Sequence, residues 1–190
     1  MTKPCILLDV DGIFADFVTP CLDAVHAHTG KRFHHDDVID WDIMKSCGID
    51  DEMGAAIYKS MQVKNLCYDI PAYAGAREGV DKLREWAEVI AVTSPFGGEH
   101  WMHERDRWMV QKMGFVKDDV MHVRSTRKYR VWGDAFVEDK TQTLRTYREH
   151  HPECASVLFL RNYNKGDGWD GLCADGWPHL VTLLEHRLRR

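Results

Sequence analysis

The sequence predicts an α/β protein: a parallel sheet covered by helices on both faces, with a small helical module inserted after the first strand. Three observations predict it. Short apolar runs recur along the chain, helical stretches separate them, and residues 18–75 break the alternation without a convincing buried strand. Strands alternating with helices pair in parallel, because each crossover helix returns the chain to the same end of the sheet. In such sheets the binding crevice lies at the carboxyl ends of the strands, so chemistry is sought there.

The first run, residues 4–10, ends in acidic residues and Gly12. Similar runs occupy residues 89–92, 120–123, 131–137 and 156–160. Each is short and rich in β-branched or large apolar side chains, as buried strands are. Helices are expected over about 76–87, 98–113, 140–150 and 178–189. Within the inserted segment, helical stretches fall near 18–29, 36–47 and 50–63. Residues 65–75, with two aromatics, Pro71 and Gly75, read as a return linker. The expected division is an α/β core of residues 1–17 and 76–190 and a helical cap of residues 18–75.

At 190 residues the chain suffices for one well-buried core plus a small module. A formal charge of −5 disfavours a dedicated nucleic-acid binder, which carries a basic surplus. The basic ending His186–Arg190 reads instead as a solvated helix end that suits the negative pole of the helix dipole. The six cysteines are scattered, none in a CxxC pair, and the N-terminus has no signal-peptide pattern. No apolar run is long enough to cross a bilayer. A reducing, cytoplasmic setting without a membrane is the expectation, with oligomeric state open, a homodimer included.

The first strand ends Asp9-Val10-Asp11-Gly12. Side chains two apart on an extended chain point to the same side, so both carboxylates face one place. Asp-Gly is also a hairpin-turn signal, and at this point both readings stand. The second strand ends Thr93-Ser94-Pro95, where hydroxyls and free amides can hold a phosphate oxygen or merely start the next helix. Lys128 follows the third strand; an ammonium there would neutralise a carboxylate and a phosphoryl group together. A further strand ends in Glu138-Asp139, where Asp139 is either a helix N-cap or a hard oxygen ligand for Mg²⁺ beside Asp9 and Asp11. His100, His103 and Glu104 lack zinc-site spacing. Each bland reading is plausible singly; the ordered set at successive strand ends is not explained by four coincidences.

That ordered set resembles the haloacid dehalogenase-like phosphohydrolase superfamily, with its Rossmann-like sheet. Within it, the chain is similar to the 5'(3')-deoxyribonucleotidases at LLDVDGIFADF (7–17), VTSPF (92–96) and TRKYRVWGDAFVEDK (126–140). The resemblance implies that Asp9 is the nucleophile and Asp11 the general acid/base. It implies that Thr93, Ser94 and Lys128 hold phosphate, that Asp139 completes a Mg²⁺ site with Asp9 and Asp11, and that Phe17 contacts the substrate. Glu138 departs from the usual Asp-Asp pair and is given a supporting place, and related GDxxxD patterns make Asp134 a second candidate ligand, with Asp139 preferred. The implied activity is a phosphoric monoester hydrolase acting on nucleoside monophosphates, deoxyribonucleotides foremost, through an aspartyl-phosphate. The competing expectations are the same chemistry on a sugar phosphate, a cofactor phosphate or a 3'-phosphorylated nucleic-acid end, and a non-catalytic binding module.

Overall fold

Residues 2–189 are described by a computed structural model. Six strands, β1 (Cys5–Leu8), β2 (Glu88–Thr93), β3 (Val120–His122), β4 (Ala135–Glu138), β5 (Ala155–Phe159) and β6 (Leu172–Ala174), form one sheet. All pairings are parallel, in the order β3-β2-β1-β4-β5-β6. The chain moves outward from β1 to β2 and β3, then returns to the other side of β1 to begin β4. That reversal opens a crevice beyond the carboxyl ends of β1 and β4, the usual binding place in open α/β sheets.

β1 sits centrally because it is apolar on both faces: Ile6, Leu7 and Leu8 are wholly buried. Alternate side chains enter opposite layers. Ile6 and Leu8 join the larger core, which α5 (Ala76–Arg84), α6 (Trp101–Met113) and α8 (Trp177–Leu188) cover. Leu7 instead packs with Phe136, Leu144, Tyr147 and Leu158 under α7 (Thr141–His150). Leu8 pairs with Ala91 and with Val137, so the next residue, Asp9, emerges between the ends of β2 and β4.

Between β1 and β2 lie α1 (Val18–Thr29), α2 (Ile43–Ser46), α3 (Asp51–Ser60) and α4 (Leu66–Asp69). The first three build a separate apolar cluster around Val18, Leu22, Val25, Ile43 and Ile57. Phe17, Leu66 and Phe96 pack against both this cluster and the main core. The described part of this segment contains no strand of the sheet.

The architecture follows the sequence expectation, with local corrections. The strand expected over 131–137 begins only at Ala135, because the chain first crosses the start of β1. There Asp134 accepts from the Cys5 amide at 2.7 Å while its own amide donates to the Cys5 carbonyl. The helix expected over 36–47 shrinks to α2 plus a 3₁₀ turn at His35–Asp37. Side chains compete with helical bonding there: Ser46 Oγ accepts from the Ile39 and Asp40 amides, and Asp42 caps α2. The return linker contains α4, and β6 was too short, at three residues, to carry a periodic signal.

Ile57 is wholly buried at the heart of the α1–α3 cluster. Ile57→Ala is expected to destabilise the protein by about 2–5 kcal/mol, measured by urea denaturation.

Candidate active site

The strand ends converge on one cavity of about 430 Å³. Asp9, Asp11, Ser94, Lys128, Glu138 and Asp139 line it together with the rings of Phe17, Trp41, Tyr58 and Phe96.

Its centre is a buried cluster of charge. Lys128, in the 3₁₀ turn Ser125–Arg130, is 3% exposed and places its Nζ 2.7 Å from Asp9 Oδ1 and 2.9 Å from Glu138 Oε2. The other Glu138 oxygen accepts from the backbone amides of Asp139 and Lys140, each at 3.1 Å. Glu138 therefore anchors the lysine and the turn into α7, which a shorter Asp would reach less far to do. Asp9, Glu138 and Asp139 bring carboxylate oxygens within 4.8 Å of one another. Burial pushes the Asp9 carboxyl up to about 7, with repulsion from Glu138 adding to the rise and Lys128 opposing it. Burial works against the charged Lys128, yet Asp9 and Glu138 hold its ammonium above the ordinary lysine range. Three carboxylates against one ammonium leave the cluster net negative.

Asp139 is oriented by a loop after β5. Tyr163 Oη donates to Asp139 Oδ2 at 2.5 Å, and Asn164 Nδ2 donates to the Asp139 carbonyl at 2.8 Å. Both lie in the 3₁₀ turn Asn162–Asn164, beyond the end of β5 at Phe159, so strand-end reasoning on the sequence did not reach them. Gly12 makes this packing feasible. Its φ is +77°, and a Cβ there would lie 2.0 Å from Asp139 Oδ2 and 2.7 Å from Tyr163 Oη.

The remaining sequence candidates, together with the aromatic residues Trp41 and Tyr68 of the inserted segment, fall as follows. The Asp11 side chain lines the cavity but stands outside the three-carboxylate cluster, because Arg105 Nη2 from α6 donates to its Oδ1 at 2.5 Å. Ser94 lines the cavity, with its Oγ donating to the Val123 carbonyl at 2.9 Å. Thr93 is wholly buried; its Oγ1 has no partner among the described residues and it is not among the cavity's lining residues. Phe17 lines the cavity with its ring 5.0 Å from that of Phe96 and 6.0 Å from that of Trp101. Asp134 is bonded to Cys5 at the opposite end of the sheet, away from the cluster. Glu104 accepts from the Asn65 amide at 2.6 Å rather than serving a metal with the nearby histidines. Trp41 faces the cavity under Lys140, whose Nζ lies 3.3 Å from the indole centroid. Tyr68 is elsewhere, beneath Arg107 and Lys112 of α6.

A doubly wound parallel sheet that brings strand-end carboxylates and a buried lysine into one cavity is the arrangement expected of a haloacid dehalogenase-like hydrolase. The fold agrees with solved structures of that class. It is similar to a haloacid dehalogenase-like family hydrolase from Streptococcus pneumoniae, at 9% identity over 96% of this chain and 98% of that one, with a TM-score of 0.62. A Bacillus subtilis protein described as a HAD-hydrolase and bound to magnesium matches at 11% identity over 100% of each chain, TM-score 0.59. The L-2-haloacid dehalogenase from Xanthobacter autotrophicus, with chloropropionic acid covalently bound, matches at 12% identity over 97% and 99%, TM-score 0.57. At such identities the likeness is one of fold. No curated protein matches the sequence. More specifically, the chain belongs to the family described as 5' nucleotidase, deoxy (pyrimidine), cytosolic type C protein, whose model matches residues 3–187. It is accordingly a phosphoric monoester hydrolase of the 5'-nucleotidase type.

Gly12→Ala is expected to displace Asp139 and Tyr163 and to strain the backbone. The measurable outcome is loss of phosphatase activity together with a lowered melting temperature.

Proposed function

We propose that the protein is a divalent-cation-dependent phosphatase that hydrolyses nucleoside monophosphates, deoxyribonucleotides foremost, through an aspartyl-phosphate on Asp9. The observation that carries this reading is the Asp9 carboxylate, held 2.7 Å from a buried ammonium in a cavity also lined by the rings of Phe17, Trp41, Tyr58 and Phe96. A phosphate dianion repels anionic nucleophiles, so charge compensation beside the attacking oxygen is the first requirement. Flat rings in the same cavity suit a nucleobase, and the family's nucleotidase description supports that choice.

A hard divalent cation such as Mg²⁺ fits the donor set. The cluster is net negative, its donors are carboxylate oxygens, and they lie close enough together to share one ion. Asp9 and Asp139 would hold it, whereas Glu138 already spends both oxygens on Lys128 and backbone amides. The Asp11 carboxylate is engaged by Arg105. When bound, the ion supplies neutralisation of the phosphoryl oxygens. The similar Bacillus subtilis protein carries magnesium, which supports that identity.

The chain's own residues account for the steps. An Asp9 oxygen attacks phosphorus, forming the acyl phosphate as the ester P–O bond breaks. Lys128 balances the phosphoryl charge while Asp11 donates a proton to the leaving alkoxide. Asp11 then takes a proton from water, which attacks phosphorus and returns Asp9 as a carboxylate. The covalently bound chloropropionic acid in the Xanthobacter autotrophicus enzyme supports covalent catalysis on this fold. Residues 18–75 act as a cap: α1–α3 carry their own apolar cluster and contribute Val18, Ile43 and Tyr58 to the cavity wall, excluding water from the reaction. A cytosolic setting accords with the family's cytosolic type and with six cysteines that are all free thiols.

Purified protein is expected to release phosphate from deoxy- and ribonucleoside monophosphates with Mg²⁺ and to stop on chelation. Asp9→Asn is expected to lower turnover by at least ~10³-fold. Turnover of sugar phosphates with none of nucleotides would reassign the substrate, and no turnover of any ester by folded, magnesium-loaded protein would refute an enzyme.

Tyr163→Phe removes the hydroxyl that orients Asp139. It is expected to weaken Mg²⁺ binding about tenfold or more, read by calorimetric titration and by the Mg²⁺-induced shift in melting temperature.

A further inference from the structure

Arg105 has no obvious structural reason to be charged. It sits mid-way along α6 with its side chain wholly buried, among the apolar residues of the main core. The guanidinium lies over the rings of Trp101 (5.2 Å) and Trp108 (5.6 Å), and its Nε and Nη1 have no hydrogen-bond partner among the described residues. Among the described residues its single polar contact is Nη2 to Asp11 Oδ1 at 2.5 Å. Burying a guanidinium with two unpaired nitrogens costs free energy that one ion pair does not reliably return, and an apolar side chain of similar volume would pack as well. The contact therefore calls for a reason other than stability.

Asp11 supplies it. Its side chain is 30% exposed and lines the substrate cavity, and its second carboxylate oxygen makes no hydrogen bond. A carboxylate on a turn after a strand swings about two single bonds. Arg105 reaches it from an element 94 residues away and fixes one oxygen, leaving the other without a hydrogen-bond partner among the described residues. Proton transfer demands such fixation, since a displacement near 1 Å costs about 10²-fold in rate.

We propose that Arg105 is a positioning residue for proton transfer: it clamps one oxygen of Asp11 and presents the other to the leaving alkoxide, and later to water. The proposal rests on the acid/base role given to Asp11 above. The step balances simply: the proton moves from Asp11 to the ester oxygen as the P–O bond breaks, and a water proton restores Asp11 on hydrolysis of the acyl phosphate.

The dependence on leaving group tests this. An alkoxide leaves with a donated proton, whereas p-nitrophenolate leaves without one. In single-turnover experiments Arg105→Met is expected to slow phosphoryl transfer from a nucleoside monophosphate about 10²-fold, and the first-turnover release of p-nitrophenolate from p-nitrophenyl phosphate by less than roughly 3-fold. Asp11→Asn is expected to show the same split, and the double variant to be no slower than Asp11→Asn alone. Arg105→Lys keeps the charge without the planar fork and is expected to recover part of the nucleotide rate, which also serves if the Met variant fails to fold. Equal losses on both substrates would mark Arg105 as merely structural and overturn the proposal. So would a double variant slower than Asp11→Asn, or an Arg105→Met enzyme at the wild-type rate while Asp11→Asn is impaired. Unimpaired nucleotide turnover by Asp11→Asn would instead overturn the acid/base reading, and this proposal with it.

Discussion

The ammonium of Lys128 is the contact around which the site is arranged. It bridges Asp9 at the end of β1 and Glu138 at the end of β4, two adjacent central strands, from a turn that follows the third. Without that charge, Asp9, Glu138 and Asp139 would crowd three buried carboxylates together, and they would protonate rather than remain anionic. With it, one positive charge sits among the three carboxylates, as the proposed handling of a cation and a phosphate requires. The same contact explains Glu138. The residue that departs from the usual Asp-Asp pair has the reach to hold the lysine while accepting two amides at the entry to α7.

Around this centre the second layer of contacts is supplied by elements remote in sequence. Tyr163 and Asn164, beyond β5, orient Asp139; Arg105, on α6, holds Asp11; Gly12 removes the Cβ that would collide with the first of these arrangements. Each restricts the rotamers of a carboxylate to which the proposed mechanism gives a reacting or ion-holding part. Such restriction is costly in conformational entropy and is recovered at the transition state, where preorganised groups need not rearrange. The aromatic side of the cavity is built differently. Phe17, Phe96 and Trp101 pack edge to face and tilted, at centroid distances of 5.0–6.0 Å, joining the core to the α1–α3 cluster. Those rings close the cavity and hold the two apolar clusters against each other at once.

Much of this was legible in the chain. Strand-end logic located Asp9, Asp11, Ser94, Lys128 and Asp139, all of which line the cavity, because a parallel sheet delivers every strand terminus to the same edge. Thr93 shows where that logic stops. It ends β2 as expected, but a side chain at a strand end faces one of two directions, and this one is buried away from the cavity lining with an unpartnered hydroxyl. Asp134 likewise reads as an acid near a strand, yet it lies at the start of β4 and bonds to Cys5, because the crossing beneath β1 delays the strand by four residues from the expected start.

By itself the sequence determined the α/β alternation, the inserted helical segment and the ordered series of acids, hydroxyls and lysine. All are properties of local composition and spacing, which set periodicity and chain reversal before any long-range contact forms. Only the tertiary structure decided which carboxylates share a site, which residue anchors the lysine, and which side chains hold them in place. Arg105 carries no local mark of its role: a helical arginine is ordinarily solvated, and it becomes a buried partner of Asp11 only when α6 packs against the sheet. Pairings across 94 residues are set by packing, where burial turns a weak solvent-screened attraction into a strong and directional one.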